Sequence, residues 1–233
     1  MRLPTTPATT LAGAELARGR LVGAAAIAFA VLVLTENVLF TVTGSPGYDS
    51  PIEDVLAYYA ANHTVVAIVA GMVALYLPLL LLFVTGLHGL VERRGGAGAD
   101  WSRLAIAAGV AVSAIFVVVN VLLIGFALSA NTFVESTSAY EIVWRIHASA
   151  FALVLPALGA MCVGASLAAH ESGLTPAWQR VLGLAAGGLL LVAGVGNVAI
   201  ADGSPLIFAG LLGFVALLVW LFVIGVRLVR GSR

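Results

Sequence analysis

The chain contains no lysine, a single cysteine and little charge of either sign. Each scarcity excludes something. Charged residues fill 9% of its 233 positions, whereas soluble domains carry about 25%. So little charge cannot coat a water-exposed globule. Formal net charge is zero, which removes the basic field that draws proteins to nucleic acid. Cys162 stands alone, so no intrachain disulfide can form. There is no Cys-x-x-Cys, no His-Glu-x-x-His, no nucleophile elbow and no Walker loop. The run Gly95-Gly96-Ala97-Gly98 lacks both the preceding strand and the lysine of a phosphate cradle. Soluble-enzyme chemistry therefore has no foothold.

What is present is apolar. Hydrophobic residues make up 61% of the chain. A membrane-spanning helix needs about 20 of them in succession. Six such stretches are legible, over residues 20–43, 64–91, 104–128, 142–169, 181–200 and 206–228. The expected fold is all-α: an integral membrane bundle of six transmembrane helices. A short tail, 1–19, precedes the transmembrane domain at 20–228, and a second tail covers 229–233. The first apolar stretch is longer than the apolar region of a signal peptide, and no clear small-residue cleavage site follows it. It reads as a retained span.

Arginine placement sets an expected orientation. Arg2, Arg18 and Arg20 precede the first span, and Arg93, Arg94 and Arg103 fall between the second and third. Arg180 falls between the fourth and fifth, and Arg227, Arg230 and Arg233 close the chain. Arg145 alone lies on the other side, with Asp49, Glu53, Asp54, Glu135, Glu141 and Asp202. The positive-inside rule then makes both termini cytoplasmic in an inner (plasma) membrane. Tyr58 and Tyr59 on one side, and Trp101 and Trp178 on the other, suit interfacial aromatic belts. Ser50-Pro51-Ile52-Glu53 and Thr175-Pro176 have the form of helix starts, as do Ser204-Pro205 and Asp100. A short outer helix is expected over 51–62, and Pro78 and Pro156 fall inside spans.

One spacing recurs. An arginine is followed 17 residues later by Asn-Val at Arg20 to Asn37, Arg103 to Asn120 and Arg180 to Asn197. Three of the five asparagines in the chain obey it. Trp101 and Trp178 each stand two residues before a marker arginine. The pattern suggests three parallel helical-hairpin repeats, related by an axis along the membrane normal. At 1.5 Å per residue, 17 residues cover about 25 Å. Each asparagine then lies near the outer edge of a core about 30 Å thick.

Glu36, Asn37, Asn120, His147 and Asn197 are thus expected to share one layer, with Arg145 close by. Glu36 has apolar neighbours on both sides, and a carboxylate at membrane depth normally faces a bundle interior or a wet cavity. Arg145 and His147 are its expected partners. The layer supports three readings: a polar clamp in which amides and Glu36 bridge helices, a ligand or ion site open to the outside, or interfacial solvation with no partner.

The histidines bracket two spans, His63 with His88 and His147 with His170. Rings so spaced on one helix are about 35 Å apart, too far out for haems buried in the core. A metal site from His63, His147 and a loop carboxylate is the remaining cofactor reading; otherwise no cofactor is expected. The stretch Trp144 to Leu184, with a proline-containing helix followed by Gly-Leu-x-Pro-x-Trp, resembles multi-pass membrane proteins of actinobacteria and similar GC-rich prokaryotes. The segment Asp54 to Arg93 has the same character. That resemblance implies six helices and no assigned activity.

The leading functional expectation is a non-enzymatic membrane protein whose outward-facing polar pocket binds or moves a small solute, ion or lipid. The alternatives are a redox or metal-binding protein using the paired histidines, and a scaffold subunit of a membrane complex. The lipid bilayer is the expected partner, nucleic acid is not, and a homo-oligomer or another membrane partner is compatible with the composition.

Overall fold

The computed structural model describes residues 8–129 and 137–231. Arg2, Glu135 and Arg233, used above for orientation, lie outside the described residues. Within them all regular structure is helical: α1 (Ala8–Val42), α2 (Ile52–Ala61), α3 (His63–Arg93), α4 (Ala99–Ser129), α5 (Thr137–Glu171), α6 (Ala177–Val195), α7 (Asn197–Ala201) and α8 (Ile207–Arg230). Six of them, α1, α3, α4, α5, α6 and α8, are long and apolar enough to cross a membrane. With no water in a bilayer core, each backbone amide must be satisfied within its own segment, and the helix does that. The chain is a multi-pass membrane protein. Helix α1 starts at Ala8, so it runs back through most of the expected tail.

The six long helices pack as a closed ring in chain order. Each meets the next, and α8 returns to α1. Helix α5 leans towards the middle: 61% of its apolar window is buried, against 28% in α1 and α4. It also touches α2, α3 and α7. Large apolar side chains such as Leu75, Val121 and Leu212 remain exposed on the outside of the ring, as a lipid-facing surface requires. One end of the ring carries Arg94, Arg103, Arg180, Arg227 and Arg230; the other carries α2 and α7.

Glycine permits the closest helix approaches. A side chain on Gly225 would meet the Gly23 carbonyl oxygen at 2.7 Å, which is how α8 closes on α1. Gly159 and Gly187 relate α5 and α6 in the same way, each Cβ position lying 2.8 Å from the other's carbonyl. Among lipid-exposed helices the hydrophobic effect gives no net attraction, so such close packing carries the association. Pro78 and Pro156 are accommodated inside continuous helices. The Pro156 ring lies against Gly194, where a side chain would find no room.

At the arginine-rich end, polar groups tie helix ends together. His88 Nδ1 pairs with Ser102 Oγ at 2.8 Å, linking α3 to α4. Arg227 Nε donates to the Leu174 carbonyl at 2.7 Å, and Arg94 Nη1 to that of Gly173 at 3.5 Å. Gly98 has a φ of +84° and sits against the Ala168 backbone, so it satisfies both a turn and a contact that a side chain would prevent.

Some helix starts differ in detail from expectation. Helices α2 and α6 begin after Pro51 and Pro176, which themselves take the N-cap position, with no side-chain cap. Asp100 lies inside the first turn of α4 and accepts from Arg103 at 2.8 Å. Ser204 Oγ does accept the Leu206 N–H, at 3.3 Å. A larger correction concerns Tyr58 and Tyr59. They are not an interfacial belt but part of a second core, because α2 lies across the ends of α3, α4 and α5. Tyr59 stacks on Phe126 and meets Trp144 edge-on. Trp101 and Trp178 are exposed near the arginine-rich end, as a belt requires.

Candidate functional site: a cavity beneath α2

The end bearing α2 is hollow. A cavity of about 260 Å³ opens between α1, α4, α5 and α8. The segment after α1 and helix α2 cover it: Ser45, Pro46, Tyr48 and Tyr59 all reach its wall. That cover is held by Thr43 Oγ1, 2.7 Å from the Tyr58 hydroxyl. It also rests on the turn after α7, where Asp49 lies against Gly203.

Three of the sequence-selected residues meet there: Glu36, Asn37 and His147. Helical phase explains it. Val33, Glu36, Asn37 and Phe40 follow the i, i+3, i+4, i+7 rule and form one stripe of α1. Trp144, His147 and Phe151 form the facing stripe of α5. Glu36 lies beside the hydroxyl of Tyr76 on α3; that hydroxyl is buried and closes no hydrogen bond within standard geometry. Asn37 donates to the Val33 carbonyl of its own helix at 2.8 Å.

His147 is the most unusual group in the wall. It is 6% exposed, and neither ring nitrogen has a hydrogen-bond partner. Its ring stacks on Trp144, with centroids 5.0 Å apart and planes 5° apart, and meets Tyr48 at 5.9 Å. Trp144 Nε1 is also buried and unpaired. Buried polar groups are nearly always satisfied, so such orphans call for an explanation. Around them the wall is largely aromatic, with Phe40, Tyr48, Tyr59, Phe151 and Phe214. Burial pushes the Tyr48 and Tyr59 phenols above their ordinary value, and a neighbouring tyrosine adds to each shift. Both remain neutral hydroxyls at physiological pH.

The other expected members lie elsewhere. Arg145 is exposed and pairs with Glu141 at 3.3 Å and Asp202 at 3.9 Å, not with Glu36. It is two residues from His147, about 200° around a helix, so the two side chains cannot share the cavity. Asn120 faces α3, where its Nδ2 reaches the Ala70 carbonyl at 3.5 Å while its Oδ1 is unpaired. Asn197 follows a break at Gly196 and opens α7 instead of continuing the fifth span. The three repeat-marking asparagines thus have three different settings. Asn37 bonds within its own helix, whereas Asn120 reaches across to α3, and weakly.

His63 is exposed at the first turn of α3, whereas His147 is buried in the cavity wall. Among the described residues no three His, Cys, Asp or Glu side chains gather closely enough to hold a metal. Sequence reasoning missed the aromatic part of the wall. Its signal was present in the 144, 147, 151 spacing on α5 and the 36, 40 spacing on α1. The contributions of Tyr48 and Tyr59 had none, since they depend on how a loop and a short helix fold back. No family model matches the chain, and no curated protein or solved structure matches it either.

Proposed function

We propose that this chain is a non-enzymatic membrane protein whose cavity binds, or passes on, a small amphipathic molecule. The observation that carries the reading is His147, buried in the wall of a cavity with both nitrogens unpaired. A ligand with a polar group would supply the missing partner, and the aromatic wall would take its apolar body. Sites of this kind combine an apolar lining with a few convergent polar groups. The arginine bias supports an orientation with α2 and the cavity mouth outside and both termini in the cytoplasm.

A neutral fluorescent probe tests the cavity itself. The purified chain in lipid nanodiscs is titrated with 1-aminoanthracene, and protein-free nanodiscs supply the background. The expected result is saturable, one-to-one binding that Leu211→Trp abolishes. Leu211 lines the cavity while half exposed, so the larger ring has room to fill it. Binding that does not saturate, or that survives Leu211→Trp unchanged, removes the reading.

A further inference from the structure

The charge of the cavity wall narrows the ligand. Glu36 is its one carboxyl group, and no arginine lines it. The nearest arginine by position, Arg145, points to Glu141 and Asp202 outside. An anionic ligand would therefore meet a carboxyl group and no counter-charge. A cation would meet the opposite: Glu36, the Asn37 amide and a largely aromatic lining. Phe40, Tyr48, Phe151 and Phe214 line the cavity with Trp144 and Tyr59, of which Trp144 carries the His147 ring on one face and Tyr59 stacks on Phe126. Aromatic linings attract ammonium groups through the ring quadrupole. A neutral imidazole nitrogen of His147 adds an acceptor for an N–H donor.

On the reading of the cavity as a binding site, we infer that its ligand is a small lipophilic ammonium ion: a cationic head seated by Glu36 and the aromatic lining, and an apolar body along α5 and α8. The ammonium could belong to a free solute or to the choline headgroup of a lipid, and the recognition chemistry is the same. The absence of any cationic side chain to meet a lipid phosphate favours the free solute.

An isosteric pair tests the charge without altering the protein. Benzyltrimethylammonium and neopentylbenzene have nearly the same shape, and only the first is charged. Each is used to displace 1-aminoanthracene from the full chain, with lipid partitioning measured in protein-free nanodiscs and subtracted. The expected result is at least about a tenfold preference for the cation, on the scale of a desolvated cation–π contact. Glu36→Gln should then reduce that preference, read as the ratio of the two displacement constants measured on the variant itself. Equal binding of the two isosteres, or a preference for the neutral one, overturns the inference and leaves the cavity reading standing. Loss of dye saturation in the unmodified protein overturns the cavity reading, and this inference with it. Nanodiscs of phosphatidylcholine and of phosphatidylglycerol separate the sources. Cation binding suppressed only in phosphatidylcholine supports the ammonium site and assigns it to lipid headgroups; equal binding in both supports it and assigns it to a solute.

Discussion

The two ends of the ring solve the same packing problem in opposite ways. At the arginine-rich end, α8 closes on α1 through Gly225 and Gly23, backbone against backbone. At the other end, α1 and α8 both give their side chains to the wall of a cavity. Both ends contain buried polar atoms without partners. Towards the arginine-rich end these include Ser166 Oγ and Trp220 Nε1, wedged around Gly183 where not even a methyl group would fit. Near α2 they include His147 and Trp144, which border open space. An orphan in a tight contact is a packing cost; an orphan beside a cavity has room for a ligand.

This contrast can be broken experimentally, beginning with the largest expected effect. Trp144→Ala removes the ring at the junction of the cavity and the second core, where it meets Tyr59 and Phe126. It should cost about 3–5 kcal/mol, as large aromatic deletions do, read as a fall in the denaturation midpoint in detergent. A loss below about 1 kcal/mol would mean that the aromatic cover is not what holds that end together.

Next, Gly225→Leu drives a side chain into the α1 backbone and should cost about 1–3 kcal/mol or more. Leu211→Trp, which adds volume at the hollow end, should leave the midpoint near that of the parent. Equal losses in the two variants would abolish the distinction between packed and hollow ends.

His147→Leu should change stability by less than about 1 kcal/mol, because it removes no hydrogen bond and leaves no new orphan behind. A fall of several kcal/mol would instead mean that the imidazole, through its stacking on Trp144, holds that end together. The smallest effect belongs to Arg145→Ala. Its two ion pairs are exposed, so about 0.2–1 kcal/mol is expected, diminishing with added salt. Cavity binding of 1-aminoanthracene should be unchanged in that variant, since Arg145 does not line the cavity. An impaired titration would place Arg145 within the functional site after all.

Much of the fold was legible in the chain because its causes are local. Six apolar runs specify six helices through length and hydropathy alone, and the short helix over 51–62 appears as Ile52–Ala61. The inward position of Glu36, in the cavity wall, was legible because a carboxylate among Val31, Val33, Val38 and Phe40 has few tolerable surroundings in a membrane. The limits were equally physical. Depth along a helix follows from counting residues, and it placed Asn37, Asn120, His147 and Asn197 in one layer. Direction around a helix depends on which neighbours surround it. That sent Asn120 to α3, separated Arg145 from His147, and left Asn197 beyond the break at Gly196. The sequence by itself determined the number of long apolar helices and their polarity. Tertiary structure alone decided which side chains face one another across a cavity, because that depends on the order of helices in the ring and on a cover folded from Tyr48 and Tyr59.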